Sequence, residues 1–256
     1  MYDTIVFLGA GRIARIMLGG LRRAGALPRR ILVHDPATAA VHALQASFPG
    51  VEIATLAQAA GADLMLAALH PPALLEALPL LRAALRPTAV LCSLAPRVKL
   101  ATMRERLGGF ARLARQNPNA PSLVGAGYNP IAFDPGLPAE ERGGLLALLA
   151  PLGQAPVVEE ATLEAYAVIS AMGPTYLWFQ LQALRELAQE FGLDRAGADA
   201  AVKAMVEGAA ATLLGSELPP GEVMDLVPVR PLAEDEPVIR AALETRLRAI
   251  HTRLRS

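Results

Sequence analysis

Residues 4–8 (TIVFL) form an apolar, β-branched run, and the pattern then changes period. After Gly9-Ala10-Gly11 the apolar positions recur every three to four residues as far as 24, the spacing of an amphipathic helix. Further short apolar runs stand at 30–34, 51–54, 63–69, 89–94, 110–114, 123–127 and 155–158, and helical spacing fills 12–24, 38–47, 72–84, 99–106 and 138–149. Alternation of continuous apolar strands with helices predicts an α/β fold with a doubly wound, mostly parallel sheet. After residue 159 the strand signal stops. Helical patterns cover 162–191, 194–214 and 234–255, with a break at Gly173-Pro174, where Pro174 is expected to begin a helix. Gly192 reads as a stop and Asp194 as a cap. The chain is therefore expected to divide into a sheet domain, 1–158, and an all-α domain, 159–256. A helical domain of that size seldom closes a core alone, so it is expected to pair with its copy in a homodimer or higher homo-oligomer.

The junction between the first strand and the first helix has a chemical meaning. Strand, Gly9-Ala10-Gly11 and helix follow one another in the order of a dinucleotide site of the Rossmann type. Gly9 permits the tight turn, Gly11 lets a pyrophosphate approach the backbone, and Ala14 replaces a third glycine at the helix–strand contact. The N–H groups of Arg12 and Ile13 and the helix dipole would then face the anion. Asp35 ends the second strand about twenty residues on, where a carboxylate accepts ribose hydroxyls and repels a 2′-phosphate. NADH is therefore favoured over NADPH. In such sheets ligands lie beyond the C-terminal strand ends, so useful residues are expected at 8–12, 34–36, 69–72, 93–97 and 115–121.

Composition narrows the classes. The 256-residue chain is 53% hydrophobic and formally neutral, with no basic stripe for nucleic acid. The most apolar stretch, 64–85, is interrupted by His70, Pro71, Pro72, Glu76, Pro79 and Arg82, so no membrane span is expected. The N-terminus lacks a signal-like core, and Cys92 is the single cysteine, within an apolar strand pattern. A cytoplasmic protein is the expectation, with Cys92 a buried, inert thiol. The histidines show no metal-ligand spacing, and no metal is expected.

The order of segments resembles the pyrroline-5-carboxylate reductases through most of the length. Gly9-Ala-Gly-Arg-Ile-Ala14 is similar to the opening G-A/G-G-N-M-A. Leu69-His70-Pro71-Pro72 takes the place of V-K-P-Q, and Arg115-Gln-Asn-Pro-Asn-Ala-Pro121 that of R-x-M-P-N-T-P. Val158-Glu159-Glu160 corresponds to an acidic pair, and Ser170-Ala-Met-Gly-Pro-Thr-Tyr176 resembles S-G-S-G-P-A-Y. The resemblance implies a C-terminal dimerisation domain and an NAD(P)H-dependent reductase that turns a cyclic imine into a secondary amine. It implies a cofactor contact for Leu69, Pro71 and Asn119, and a substrate pocket lined by Ser170 and Tyr176. His70, at the sheet edge, would bond cofactor or substrate, or supply a proton.

The chain departs from that pattern at three places. A family lysine has become His70, a family methionine has become Asn117, and the S-P-G-G-T-T loop that holds the substrate carboxylate is replaced by Val227-Pro228-Val229-Arg230-Pro231-Leu232. Arg230, the only cation in that stretch, is expected to take over anion recognition and to shift the substrate away from pyrroline-5-carboxylate itself. A keto- or hydroxy-acid oxidoreductase and a non-catalytic nucleotide-binding protein remain the alternatives.

Overall fold

β1 (Thr4–Leu8) is buried along Ile5–Leu8 and carries apolar side chains to both faces. It lies between β2 (Arg30–His34) and β4 (Leu64–Ala67), in parallel register Val6↔Leu32 and Val6↔Met65. The chain adds β3 (Val51–Ile53) outside β2, and β5 (Val90–Ser93) and β6 (Leu113–Gln116) outside β4. β7 (Gly127–Tyr128) is a short strand apart from this sheet, and β8 (Ile131–Phe133) closes the sheet antiparallel to β6. The order is β3-β2-β1-β4-β5-β6-β8. Direction reverses beside β1, the topological switch at which such sheets open a crevice.

The two faces have separate cores. α1 (Arg12–Arg23), α2 (Thr38–Ser47) and α6 (Ala139–Leu149) cover one, with Met17, Leu18, Leu44 and Leu145 packed on Ile5, Phe7 and Val33. α3 (Leu56–Ala60), α4 (Pro71–Arg82) and α5 (Leu100–Arg106) cover the other, with Leu74, Leu78 and Met103 on Val6, Met65 and Leu91. The model is a computed structural model that describes residues 2–255. These fall into two compact units, one ending at Met172 and including the residues from Ile250 on, the other Gly173–Ala249.

Several expected strands differ from those found. The run at 123–127 is a 3-10 turn, Ala120–Val124, followed by β7, which pairs with β9 (Gly153–Gln154). Pro121 removes a ladder donor there, and Leu123 and Val124 stay exposed. The strand expected at 110–114 begins later and continues into Arg115 and Gln116, polar residues that are nevertheless buried. Of 155–158 only a bridge from Val157 to Ile131 forms. β8 escaped the hydrophobic pattern because Pro130 and Asp134-Pro135-Gly136 crowd its ends with turn residues. α3 carries a capping box in which Thr55 and Gln58 satisfy each other's backbone N–H groups.

The helical half of the chain behaves as read. Leu163–Tyr166 (α7) widens into a π turn at Ala167–Ala171, and α8 starts at Pro174 and runs to Glu190. α9 (Arg195–Gly215) is capped by Asp194, whose carboxylate accepts the Gly197 N–H at 2.7 Å. α10 (Pro220–Asp225) is a short addition, and α11 (Glu236–Arg255) is the last helix. No helix among the described residues is long and apolar enough to cross a membrane.

Candidate functional site

Gly9 leaves β1 with φ at 105°, a conformation that side chains rarely adopt. A Cβ there would stand 2.6 Å from the Ala68 carbonyl oxygen, and Leu69 Cδ2 lies 3.5 Å from the same point. The turn is thus pressed against the end of β4, and the Gly9 N–H donates to the His34 carbonyl at 2.8 Å. Gly11 differs. Its φ is −78°, and a Cβ built on it meets nothing within 4 Å. It is the N-cap of α1 but supplies no side-chain cap, and the first turn holds no acid. The first N–H groups of α1, those of Arg12 and Ile13 among them, therefore face open space with the positive end of the dipole behind them. Ala14 is fully buried, as the close helix–strand contact requires. A pyrophosphate fits this cradle.

Asp35 ties the crevice together. Its Oδ2 accepts the Ala10 N–H and its Oδ1 the Ala37 N–H, both at 2.8 Å. The carboxylate thereby fixes the glycine turn against the end of β2, and each oxygen keeps acceptor capacity for a hydroxyl. Pro71 opens α4 next to Leu69. His70 is the exposed N-cap of α4, with no side-chain cap hydrogen bond. Gly9, Ala10, Gly11, Arg12, Ile13, Asp35, Leu69, His70 and Pro71 therefore share the C-terminal edge of the sheet around β1, β2 and β4.

Asn119 lies deeper. Its Oδ1 accepts the Tyr128 N–H at 3.2 Å and its Nδ2 donates to the Ser170 carbonyl at 3.3 Å. In this arrangement the side chain braces its own loop. The Ser170 hydroxyl donates to the Tyr166 carbonyl at 2.8 Å, inside the π turn. Tyr176, near the start of α8, belongs to the second unit, and burial pushes its hydroxyl pKa upward. Arg230 is also in the second unit, half exposed, with Nη2 2.8 Å from Glu236 Oε2. Cys92 is buried in β5, and burial pushes its thiol up to about 12, so little thiolate exists near neutral pH.

Two features were not anticipated. Arg115 is buried at the end of β6, and its guanidinium donates to Glu160 and Glu164, each at 2.8 Å. Glu160 Oε1 also accepts the Leu100 N–H at 2.7 Å, which ties α5 to the same knot. The acidic pair at 159–160 was the available signal, but its partner lay more than forty residues away. The second is Arg97, the one non-glycine with positive φ (71°) among the described residues. Such a backbone costs of order 1–3 kcal/mol and no sequence pattern announced it.

Comparison with known proteins finds relatives for both ends of the chain. Residues 4–96 match the family described as NADP oxidoreductase, coenzyme F420-dependent. Residues 160–230 match the family described as pyrroline-5-carboxylate reductase dimerisation. The pyrroline-5-carboxylate reductase of Escherichia coli is 29% identical over 230 residues, 89% of this chain and 85% of its own. Among solved structures, that of a pyrroline-5-carboxylate reductase from Coxiella burnetii superposes with a TM-score of 0.73 at 24% identity, covering 98% of this chain and 96% of that one. The NADP-bound pyrroline carboxylate reductase of Plasmodium falciparum gives 0.81 at 15% identity, over 99% and 97%. At those identities the likeness is one of fold.

Proposed function

This chain belongs to the pyrroline-5-carboxylate reductase family, as a divergent member, and we propose that it is an NAD(P)H-dependent reductase of a cyclic imine, 1-pyrroline-5-carboxylate or a related C=N compound. The observation that carries this is the glycine turn. Gly9 is pressed on the Ala68 carbonyl while the uncapped start of α1 opens over Gly11, in a chain with these relatives.

When bound, the reduced nicotinamide supplies the hydride. Reduction of an imine carbon also needs a proton at the nitrogen. An iminium accepts hydride readily, so the protein acts mainly by positioning. Ala10, Gly11, Arg12 and Ile13 hold the pyrophosphate through backbone N–H groups. Asp35 accepts the ribose hydroxyls with its remaining lone pairs. Leu69 and Pro71 line the nicotinamide side, and Asn119 keeps its own loop in place. His70 supplies or orients the proton. For the substrate, Ser170 is the candidate contact in the first unit, and Tyr176 and Arg230, the latter for the carboxylate, are the candidates in the second. For that role the exposed pair of Arg230 with Glu236 must open, which costs little because such pairs are worth about 0–1 kcal/mol.

Asp35 favours NADH, because a 2′-phosphate beside its carboxylate is repelled. Calorimetric titration of the protein with NADH and NADPH tests this. NADH is expected to bind more tightly, and Asp35→Ser to narrow or invert the ratio. Tighter binding of NADPH by the parent protein, or an unchanged ratio in the variant, would contradict the assignment.

A further inference from the structure

The turn that begins α4 also borders a second cavity, of about 750 Å³, within the range of small-molecule sites. His70, Arg97, Lys99, Thr102, Glu164 and Arg255 are in its wall, and all belong to the first unit. Its one carboxylate, Glu164, is already engaged by the Arg115 guanidinium at 2.8 Å. Arg97, Lys99 and Arg255 form no ion pair among the described residues. The cavity thus gathers three cationic side chains with no free carboxylate side chain among the described residues. It does so in a chain of zero net charge that has only two lysines, Lys99 and Lys203. A generally basic surface therefore does not account for the cluster.

The backbone adds an independent observation. Arg97 holds φ at 71°, where glycine would sit without strain. The side chain of Arg97 is among those that line the cavity. We propose that this cavity binds a small oxyanion carrying at least two negative charges, a polycarboxylate or a phosphate. Arg97 binds it bidentately, Lys99 and Arg255 act as point charges, and the Thr102 hydroxyl donates a hydrogen bond. The cavity does not include the glycine turn, where the pyrophosphate belongs, but it shares His70 and Pro71 with the proposed nicotinamide side.

Calorimetric titration of the full chain with citrate, and separately with inorganic phosphate, reads the site directly when sodium chloride holds ionic strength constant. Saturable binding with one site per chain is expected for at least one of them. Citrate alone identifies a carboxylate ligand, and phosphate alone a phosphoryl one. Arg97→Gly should weaken that binding by roughly tenfold or more, the loss expected of a charge-assisted contact. Its melting temperature should be equal or higher, since glycine relieves the backbone. Lys99→Gln should weaken binding by a smaller factor. Both anions are titrated without cofactor, and Asp35→Ser, which lies outside the cavity, should bind them as the parent does, which separates failure here from failure of the cofactor reading. Absence of saturable binding of both anions at millimolar concentration would overturn the proposal, and so would parent-like affinity in Arg97→Gly.

Discussion

Arg115 shows how a single residue ties β6 to α7 and, through Glu160, to α5. Its side chain is 2% exposed, and its partner Glu164 is 10% exposed. Two charges taken out of water are tolerated because each answers the other, and truncating one leaves the other stranded. Arg115→Ala is therefore expected to lower stability by about 3–5 kcal/mol, read from urea unfolding as a lower midpoint at unchanged slope. Replacing Arg115 by Met together with Glu164 by Leu should recover much of the loss, because apolar groups of similar volume need no partner. A single truncation with the parent midpoint would show that the pair contributes nothing. The residues of this knot were visible in the sequence as chemistry, but not as a contact. Charge and burial are local properties, whereas the pairing of 115 with 160 and 164 depends on how β6 meets the segment that follows β9.

Among the elements, α1 sits unusually close to its neighbour. A Cβ on Gly20 would stand 2.3 Å from the Ser122 carbonyl oxygen and 2.6 Å from Leu152 Cδ2. The carbonyl belongs to the 3-10 turn and cannot move aside as a side chain could. Gly20→Ala is expected to destabilise the protein by about 1–3 kcal/mol through overpacking, despite the better helix propensity of alanine. Gly143→Ala in α6 is the contrast, because nothing lies within 4 Å of its Cβ. It should stabilise by about 0.5–1 kcal/mol. Thermal melts of the two variants check both signs, and a stabilised Gly20→Ala would refute the close contact. The same elements show what the sequence could and could not say. β1, β2 and α2 were legible to the residue because an unbroken apolar run or a clean helical period has no competing reading. β8 was not, since its three residues lie between turn formers and are held by the partner strand β6. At the site, the glycine turn and Asp35 were legible because their motif is local. The Asp35 contact to Ala10 and the Arg97 backbone arise only once the loops meet.

On the scale of the whole molecule, the second unit leaves its apolar surface uncovered. Trp178 is 53% exposed, Phe179 70%, Phe191 79% and Leu214 83%, and of its residues only Ala198 is buried among those described. A chain does not keep that surface in water alone. It matches the family described by dimerisation, and the expected assembly is at least a homodimer through these helices. Light scattering should give at least twice the 26.9 kDa chain mass, and a stable monomer at micromolar concentration would contradict it. The chemistry of the assembled protein is tested most directly by following the hydride itself. NADH deuterated on the transferred face of the nicotinamide is incubated with the protein and 1-pyrroline-5-carboxylate, with other cyclic imines and keto acids in parallel, and each product is examined by mass spectrometry. The account predicts that a cyclic imine gives a secondary amine carrying one deuterium on the former imine carbon, one cofactor oxidised for each amine formed. Cofactor binding without deuterium transfer to any imine, or transfer to keto acids alone, would contradict it.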